Sequence, residues 1–248
     1  MLQTISKKGA ILQHQSTIDK VYIHCKKITE ILQNNQWFRK RCFIIGGGES
    51  LKNFDFNKLR GELVIGINKT FIDYSNIDIL YFMDIPFYAA IKSGQYDKFE
   101  NFKVYDLWKS LKTIKVCLSP FEFYPLDQDI YCVRRLYVPE VSQDLNHGIY
   151  PGNNSGFGAI SLAVILGCNP IYLLGYDMQC KEKTHYHKGY IDSNIEDMRE
   201  KVDTYKRQLE QFAHKFLELG INIININTEE GTALRCFPIK TIDEVLNE

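Results

Sequence analysis

The sequence predicts an α/β protein built on an open, mostly parallel sheet with helices on both faces. Three observations carry this. Short apolar runs recur at residues 42–45, 63–67, 79–83 and 171–174, and runs so continuous belong to strands buried on both faces. Helices are read before, among and after them, over 16–35, 155–166 and 195–219, and strands alternating with helices imply parallel pairing. Each run also ends in a small or polar cluster: Gly46 to Ser50, Asn68-Lys69, Asp84, and Gly175 to Asp177. In an open parallel sheet those C-terminal ends share one edge, and ligands bind in the crevice there.

The elements follow in order. Ile18, Val21, Tyr22, Cys25, Ile28, Ile31 and Leu32 recur at helical spacing, predicting a helix over 16–35 with Ser16 or Thr17 as its cap. This segment reads as an N-terminal helical extension, residues 1–38, packed on a single sheet domain spanning 39–248. Weaker strand candidates lie at 115–118 and 130–133, and the residues around them carry little pattern. A loop rich in Gly, Pro and Asn covers 148–154, then a helix runs over 155–166, with Gly167 placed to stop it. Residues 178–194 are polar and long enough to form a functional loop. A charged helix over 195–219 ends at Gly220, and residues 222–226 read as a last strand.

Composition narrows the function classes. The chain has 248 residues, 45% hydrophobic and 24% charged, with thirty basic side chains balancing thirty acidic ones. A net charge of zero argues against duplex nucleic acid as a partner, because counterion-releasing contacts need a basic surface. The seven cysteines include no CxxC pair, which argues for a reducing compartment and against a disulfide framework or structural zinc. The opening segment lacks the apolar core of a signal peptide, and no apolar stretch is long enough to span a bilayer. A cytoplasmic location is expected.

Four groups of residues can carry chemistry. Gly46, Gly47, Gly48 and Ser50 sit where the first strand turns toward a helix, so backbone amides and the Ser50 hydroxyl can hold phosphate oxygens. A tight turn with no ligand reads equally well, since the run lacks both the dinucleotide fingerprint and the P-loop lysine. Asn153, Asn154, Ser155 and Gly156 open the helix at 155. One of them is needed as a cap, and the excess suggests a helix N-terminus kept clear for an anionic or amide-binding group. His185 and His187 lie in the polar loop and are read either as incidental surface residues or as a general base or charge partner for a phosphate leaving group. Asp84 and Asp177, each at a strand end, can hold hydrated Mg²⁺, cap a helix or bind a ribose hydroxyl.

The ordered set FIIGGGESL, IGINKTF, YFMD, GNNSGFGAISLAVILGCNPIYLLGYDM and THYHKG resembles the sialyltransferase-like superfamily. That group holds the bacterial sialyltransferases with a single Rossmann-like domain. It also holds the family typified by archaeal 6-hydroxymethylpterin diphosphokinase, with many bacterial and phage members. The resemblance covers roughly residues 41–187 and is most specific over 152–178. It implies a Rossmann-like transferase domain in which Gly46 to Ser50 hold nucleotide phosphates and Asn68 contacts the donor. Ser155 and Gly156 would line its pocket, Asp177 would close it, and His185 or His187 would be the base. The chain departs from the family at GGGES, where the sialyltransferases resemble GNGPS, and in the spacing of the loop histidine.

The function this implies is a nucleotide-dependent transferase, foremost a glycosyltransferase with a nucleotide-sugar donor, an unidentified acceptor and no required cofactor. The alternatives are a pyrophosphokinase-like enzyme using ATP and Mg²⁺, with Asp84 or Asp177 on the metal, and a non-enzymatic nucleotide-binding protein. Association into a homo-oligomer is left open.

Overall fold

Among the described residues, eight strands form one sheet in which every pairing is parallel, as the alternating pattern requires. The computed structural model describes residues 7–180, 185–187 and 195–247. In chain order these hold α1 (Lys7–Tyr22), β1 (Cys42–Ile45), β2 (Leu63–Ile67), α2 (Thr70–Asp73), β3 (Ile79–Phe82), α3 (Ile85–Lys92), α4 (Val104–Ser110), β4 (Ile114–Leu118) and β5 (Ile130–Val133). Then come α5 (Ser155–Ile165), β6 (Ile171–Leu174), α6 (Ile195–Glu218), β7 (Ile223–Ile226), β8 (Ile239–Lys240) and α7 (Ile242–Leu246). Among the described residues, no helix is long and apolar enough to cross a membrane.

The strand order is β5-β4-β3-β2-β1-β6-β7-β8. The chain therefore winds outward from β1 to β5, returns to the middle, and winds outward the other way from β6. The reversal leaves a crevice between the C-terminal ends of β1 and β6, the topological switch point of an open parallel sheet.

Alternation along the central strands sends residues to two apolar layers. Ile44, Ile65, Tyr81 and Val116 pack with α5 and with Phe212 and Phe216 of α6. Phe43, Ile45, Val64 and Phe82 pack on the other side with Tyr88 of α3 and Trp108 of α4. Helix α5 is buried along almost its whole length, which explains a sequence apolar on every side. It lies so close to the sheet that a Cβ on Gly158 would run into the Tyr81 hydroxyl.

The N-terminal segment differs from the sequence expectation. The helix covers Lys7–Tyr22 rather than 16–35, and Ser16 and Thr17 lie within it, Thr17 Oγ1 donating to Gln13 O at 3.1 Å. Beyond it the chain runs beside β5, where Cys132 N donates to Lys26 O at 2.7 Å. Unpaired amides at a sheet edge compete with helix continuation, and here they end it. Ile28 and Leu32 are still buried, through a single 3₁₀ turn at Ile28–Glu30. Helices α2, α3, α4 and α7 and strand β8, which the sequence pattern did not resolve, are all short.

The contact between Gly158 and Tyr81 yields a test. Gly158→Ala should destabilise the protein by about 1–3 kcal/mol, the usual cost of overpacking. The Tyr81 hydroxyl is buried without a hydrogen-bond partner among the described residues. Tyr81→Phe should therefore be close to neutral alone and recover much of the loss in the double variant. Urea denaturation of the four proteins measures the coupling.

Candidate functional site

The three glycines after β1 do different work. Gly46 N donates to Leu174 O at 2.8 Å and Gly48 N to Gly175 O at 2.9 Å, joining the ends of β1 and β6. A Cβ on Gly46 would lie 2.9 Å from Gly175 O, and one on Gly48 would lie 2.6 Å from Gly175 O and from the Asp177 carboxylate. Backbone closeness at the strand junction thus accounts for both. At Gly47 the nearest atom to such a Cβ is on the His185 ring, at 2.8 Å.

Asp177 fastens this junction. Its carboxylate accepts from Ser50 N at 2.8 Å, from Ser50 Oγ at 2.5 Å and from Asn227 Nδ2 at 3.0 Å. Burial raises its pKa, and the bonds from Ser50 and Asn227 oppose the rise. The Ser50 hydroxyl, expected on phosphate, is turned to Asp177 instead. That bond explains why a serine and an aspartate far apart in sequence belong together.

Helix α5 supplies the next wall. Asn154 caps it, its Oδ1 accepting from Phe157 N at 2.8 Å, and this bond fixes which way the amide points. The amide nitrogen on the other side is buried and has no hydrogen-bond partner among the described residues. Asn68 holds the left-handed backbone conformation, φ 52°, and its Oδ1 is likewise buried without a partner. Buried amide groups left unmet are uncommon and call for an explanation such as a ligand. The small side at Gly156 is needed elsewhere: Tyr176 OH donates to its carbonyl at 3.0 Å, and a Cβ there would lie 3.0 Å from the tyrosine ring.

These groups enclose a cavity of about 290 Å³ at the switch point. Gly46, Gly47, Gly48, Asn68, Asp84, Asn154, Ser155, Gly156, Asp177 and His185 all line it, whereas Ser50 and His187 do not. Met83, Met178, Met198, Val202 and Tyr205 give it an apolar flank. The last three stand on one face of α6, at a spacing of four and then three residues. That helical stripe beside a sheet end was the signal available for them in the sequence. Asp84 heads α3 without a side-chain capping bond, and burial raises its pKa against the opposing pull of Arg135. Among the described residues, no three His, Cys, Asp or Glu side chains cluster as metal ligands.

The two histidines part company. Residues 186 and 187 form a bend, so the extended strand that would place both rings on one side is not adopted. His185 faces the cavity. His187 turns away, is 3% exposed, and meets the Asp73 carboxylate through Nδ1 at 2.8 Å. Tyr186 N donates to Gly47 O at 3.2 Å. The strap is thus tied at its bend both to the glycine turn and to α2. Lys69 is buried nearby, its ammonium 4.0 Å from the centroid of the Tyr96 ring, and burial lowers its pKa to about 8. Burial also lowers the His187 pKa, outweighing Asp73. It takes His185 from 6.5 to about 4, helped by His187 and Lys69. The rest of the polar loop, 181–184 and 188–194, lies outside the described residues.

No protein-family model, curated protein or solved structure matches this chain.

A group whose folded pKa is depressed stabilises the folded arrangement above its unfolded pKa and loses that contribution as pH falls. Docking of the strap should therefore weaken as pH drops from 6.5 toward 4, with His185 titrating at the low end in histidine NMR spectra. Asp73→Asn removes the partner of His187, so His185 should then titrate closer to 6.5. An unchanged His185 titration would show that Asp73 does not hold the strap.

Proposed function

We propose that the chain is a nucleotide-dependent transferase, a glycosyltransferase-like enzyme that uses a nucleotide-sugar donor. The observation that carries this reading is convergence. Gly47, the N-terminus of α5, two unmet asparagine amides and a neutral imidazole meet in one cavity at the switch point. Each suits one part of such a donor. Amides at a helix N-terminus take phosphate, the asparagines take hydroxyl or base edges, and the methionine and tyrosine flank takes an apolar face.

In this reading the glycosidic carbon–oxygen bond to the donor phosphate breaks, and the nucleotide departs with that electron pair. The acceptor oxygen bonds to the same carbon, and its proton passes to His185. A histidine depressed to about 4 is fully unprotonated at neutral pH. An anionic phosphate beside it raises its basicity once the donor is bound.

The pyrophosphokinase reading has less support. It needs carboxylates free for Mg²⁺, and of the two at the strand ends Asp177 is committed to Ser50 and Asn227. Asp84 alone remains. A purely binding protein, the third reading, has no use for an imidazole brought to the cavity on a strap.

Thermal-shift measurements with CMP, CDP, UDP, GDP and ATP, with and without Mg²⁺, test the reading, since a ligand of the folded state raises its stability by mass action. Nucleotide should stabilise the protein without Mg²⁺, and a shift seen only with ATP and Mg²⁺ would transfer support to the pyrophosphokinase. Gly47→Val should weaken nucleotide binding about tenfold or more, by blocking backbone approach to phosphate. With a donor in hand, His185→Ala should lower turnover by roughly 10²- to 10⁴-fold and leave nucleotide affinity nearly intact. His187→Ala should act more weakly, through the strap. Loss of affinity along with rate would make His185 a phosphate ligand instead.

A further inference from the structure

Beside the cavity stands a buried positive charge that the transferase reading does not use. Arg135 follows β5 and is 9% exposed, and it stands in no ion pair among the described residues. Its Nε reaches Ser119 O at 3.4 Å, and its guanidinium carbon lies 4.3 Å from the centroid of the Phe121 ring. Burying a guanidinium without a carboxylate costs stability, and burial depresses its pKa. A packing role alone would be served as well by methionine or leucine.

The sheet register places a carboxylate at the same edge. Phe82 pairs with Cys117 and Leu118 with Val133, so two residues beyond β3 Asp84 comes level with Ser119. Arg135 is anchored on that same serine, its N donating to Ser119 Oγ at 2.9 Å. Arg135 lies one residue further along β5, and the two charges stand close enough across the ends of β3, β4 and β5 to influence each other's ionisation. They are still too far apart to close an ion pair. Asp84 also borders the cavity.

Two opposite charges held at that separation suit a group able to accept from the guanidinium and donate to the carboxylate. A hydroxyl does both; an anion would satisfy Arg135 and be repelled by Asp84. Phe121, 48% exposed, carries Arg135 on its ring and Tyr137 at its edge. The remaining open ring is a surface for the C–H face of a sugar.

The geometry points to a carbohydrate-binding subsite formed by Asp84, Arg135 and Phe121, adjoining the cavity and specific for neutral, polyhydroxylated molecules. Calling it the acceptor subsite rests on the transferase reading, because Asp84 is where a molecule held here enters the cavity. The subsite itself stands independently of that reading.

Saturation-transfer NMR on the full chain, with galactose, glucose and N-acetylglucosamine as neutral probes and glucuronate as the anionic one, tests it. At least one neutral sugar should receive saturation, and Arg135→Met and Asp84→Asn should each reduce the signal about tenfold, the loss expected for a hydrogen bond to a charged group. Phe121→Ala should reduce it as well. Arg135→Met should melt no lower than the wild type, because it removes a buried unpaired charge. If that variant fails to fold, Arg135 is structural and the subsite is overturned. Two other results overturn it too: no signal from any neutral sugar, or signals indifferent to Asp84→Asn and Phe121→Ala. Signals from glucuronate alone, unmoved by Asp84→Asn, would make the site an anion site. Nucleotide binding is read separately by thermal shift with CMP, CDP, UDP and GDP. Sugar binding with none of these bound leaves the subsite standing and removes the transferase, and the reverse result does the opposite.

Discussion

The site depends on one junction, where the backbone after β1 crosses the backbone after β6 at hydrogen-bonding distance. Two glycines permit the approach, since any side chain on Gly46 or Gly48 would strike the opposing chain. Two amide–carbonyl bonds, Gly46 to Leu174 and Gly48 to Gly175, hold it. The Asp177 carboxylate then locks the following turn through Ser50. With those bonds in place the turn cannot swing toward a ligand, so Gly47 keeps a fixed position opposite α5. Preorganisation of this kind lowers the ordering cost of binding.

The same economy extends to α5. Its cap, Asn154, both ends the loop and lines the cavity, and its amide nitrogen, opposite the bond to Phe157 N, has no partner among the described residues. The glycines of the first turn let the helix sit against Tyr176 and Tyr81, which brings the cap close to the ends of β1 and β2. Packing and ligand geometry are therefore one problem here. A residue chosen for closeness of helix and sheet also sets how far the first helical amides stand from Gly47.

This overlap explains what was legible in the sequence. The central strands could be read because burial on both faces leaves unbroken apolar runs, as at Cys42–Ile45 and Ile171–Leu174. The site's location was legible for a related reason: in β1, β2, β3 and β6 the polar residues stand where the strands stop. Individual roles were less so. Gly48 and Ser50 look like parts of a phosphate loop in sequence, and only the position of Asp177, far along the chain, turns them into a clamp. The bend after His185 was hidden because two histidines two residues apart fit an extended strand equally well. Asp73, which draws His187 away, sits on a four-residue helix too short to carry a periodic signal. The N-terminal helix was misplaced because the edge of β5, which ends it, is more than a hundred residues away. Arg135 carried no signal at all, since its significance lies in the partner it does not reach.

The two halves of the cavity are supported differently, and the chemistry divides along that line. The glycine turn, Asn68 and the cap of α5 are set by the sheet, so the groups suited to holding a ligand are backed by the core. His185 arrives from outside the sheet. Its neighbours Tyr186 and His187 tie it to Gly47 and to Asp73. Burial costs that ring its affinity for a proton, and the neighbouring Lys69 adds to the cost. An anion entering between Gly47 and α5 would offset both effects, because negative charge beside a buried imidazole favours its protonated form. Binding and proton affinity are then linked without any movement of the fold. The imidazole would stay neutral with no anion beside it and would become a stronger base with one.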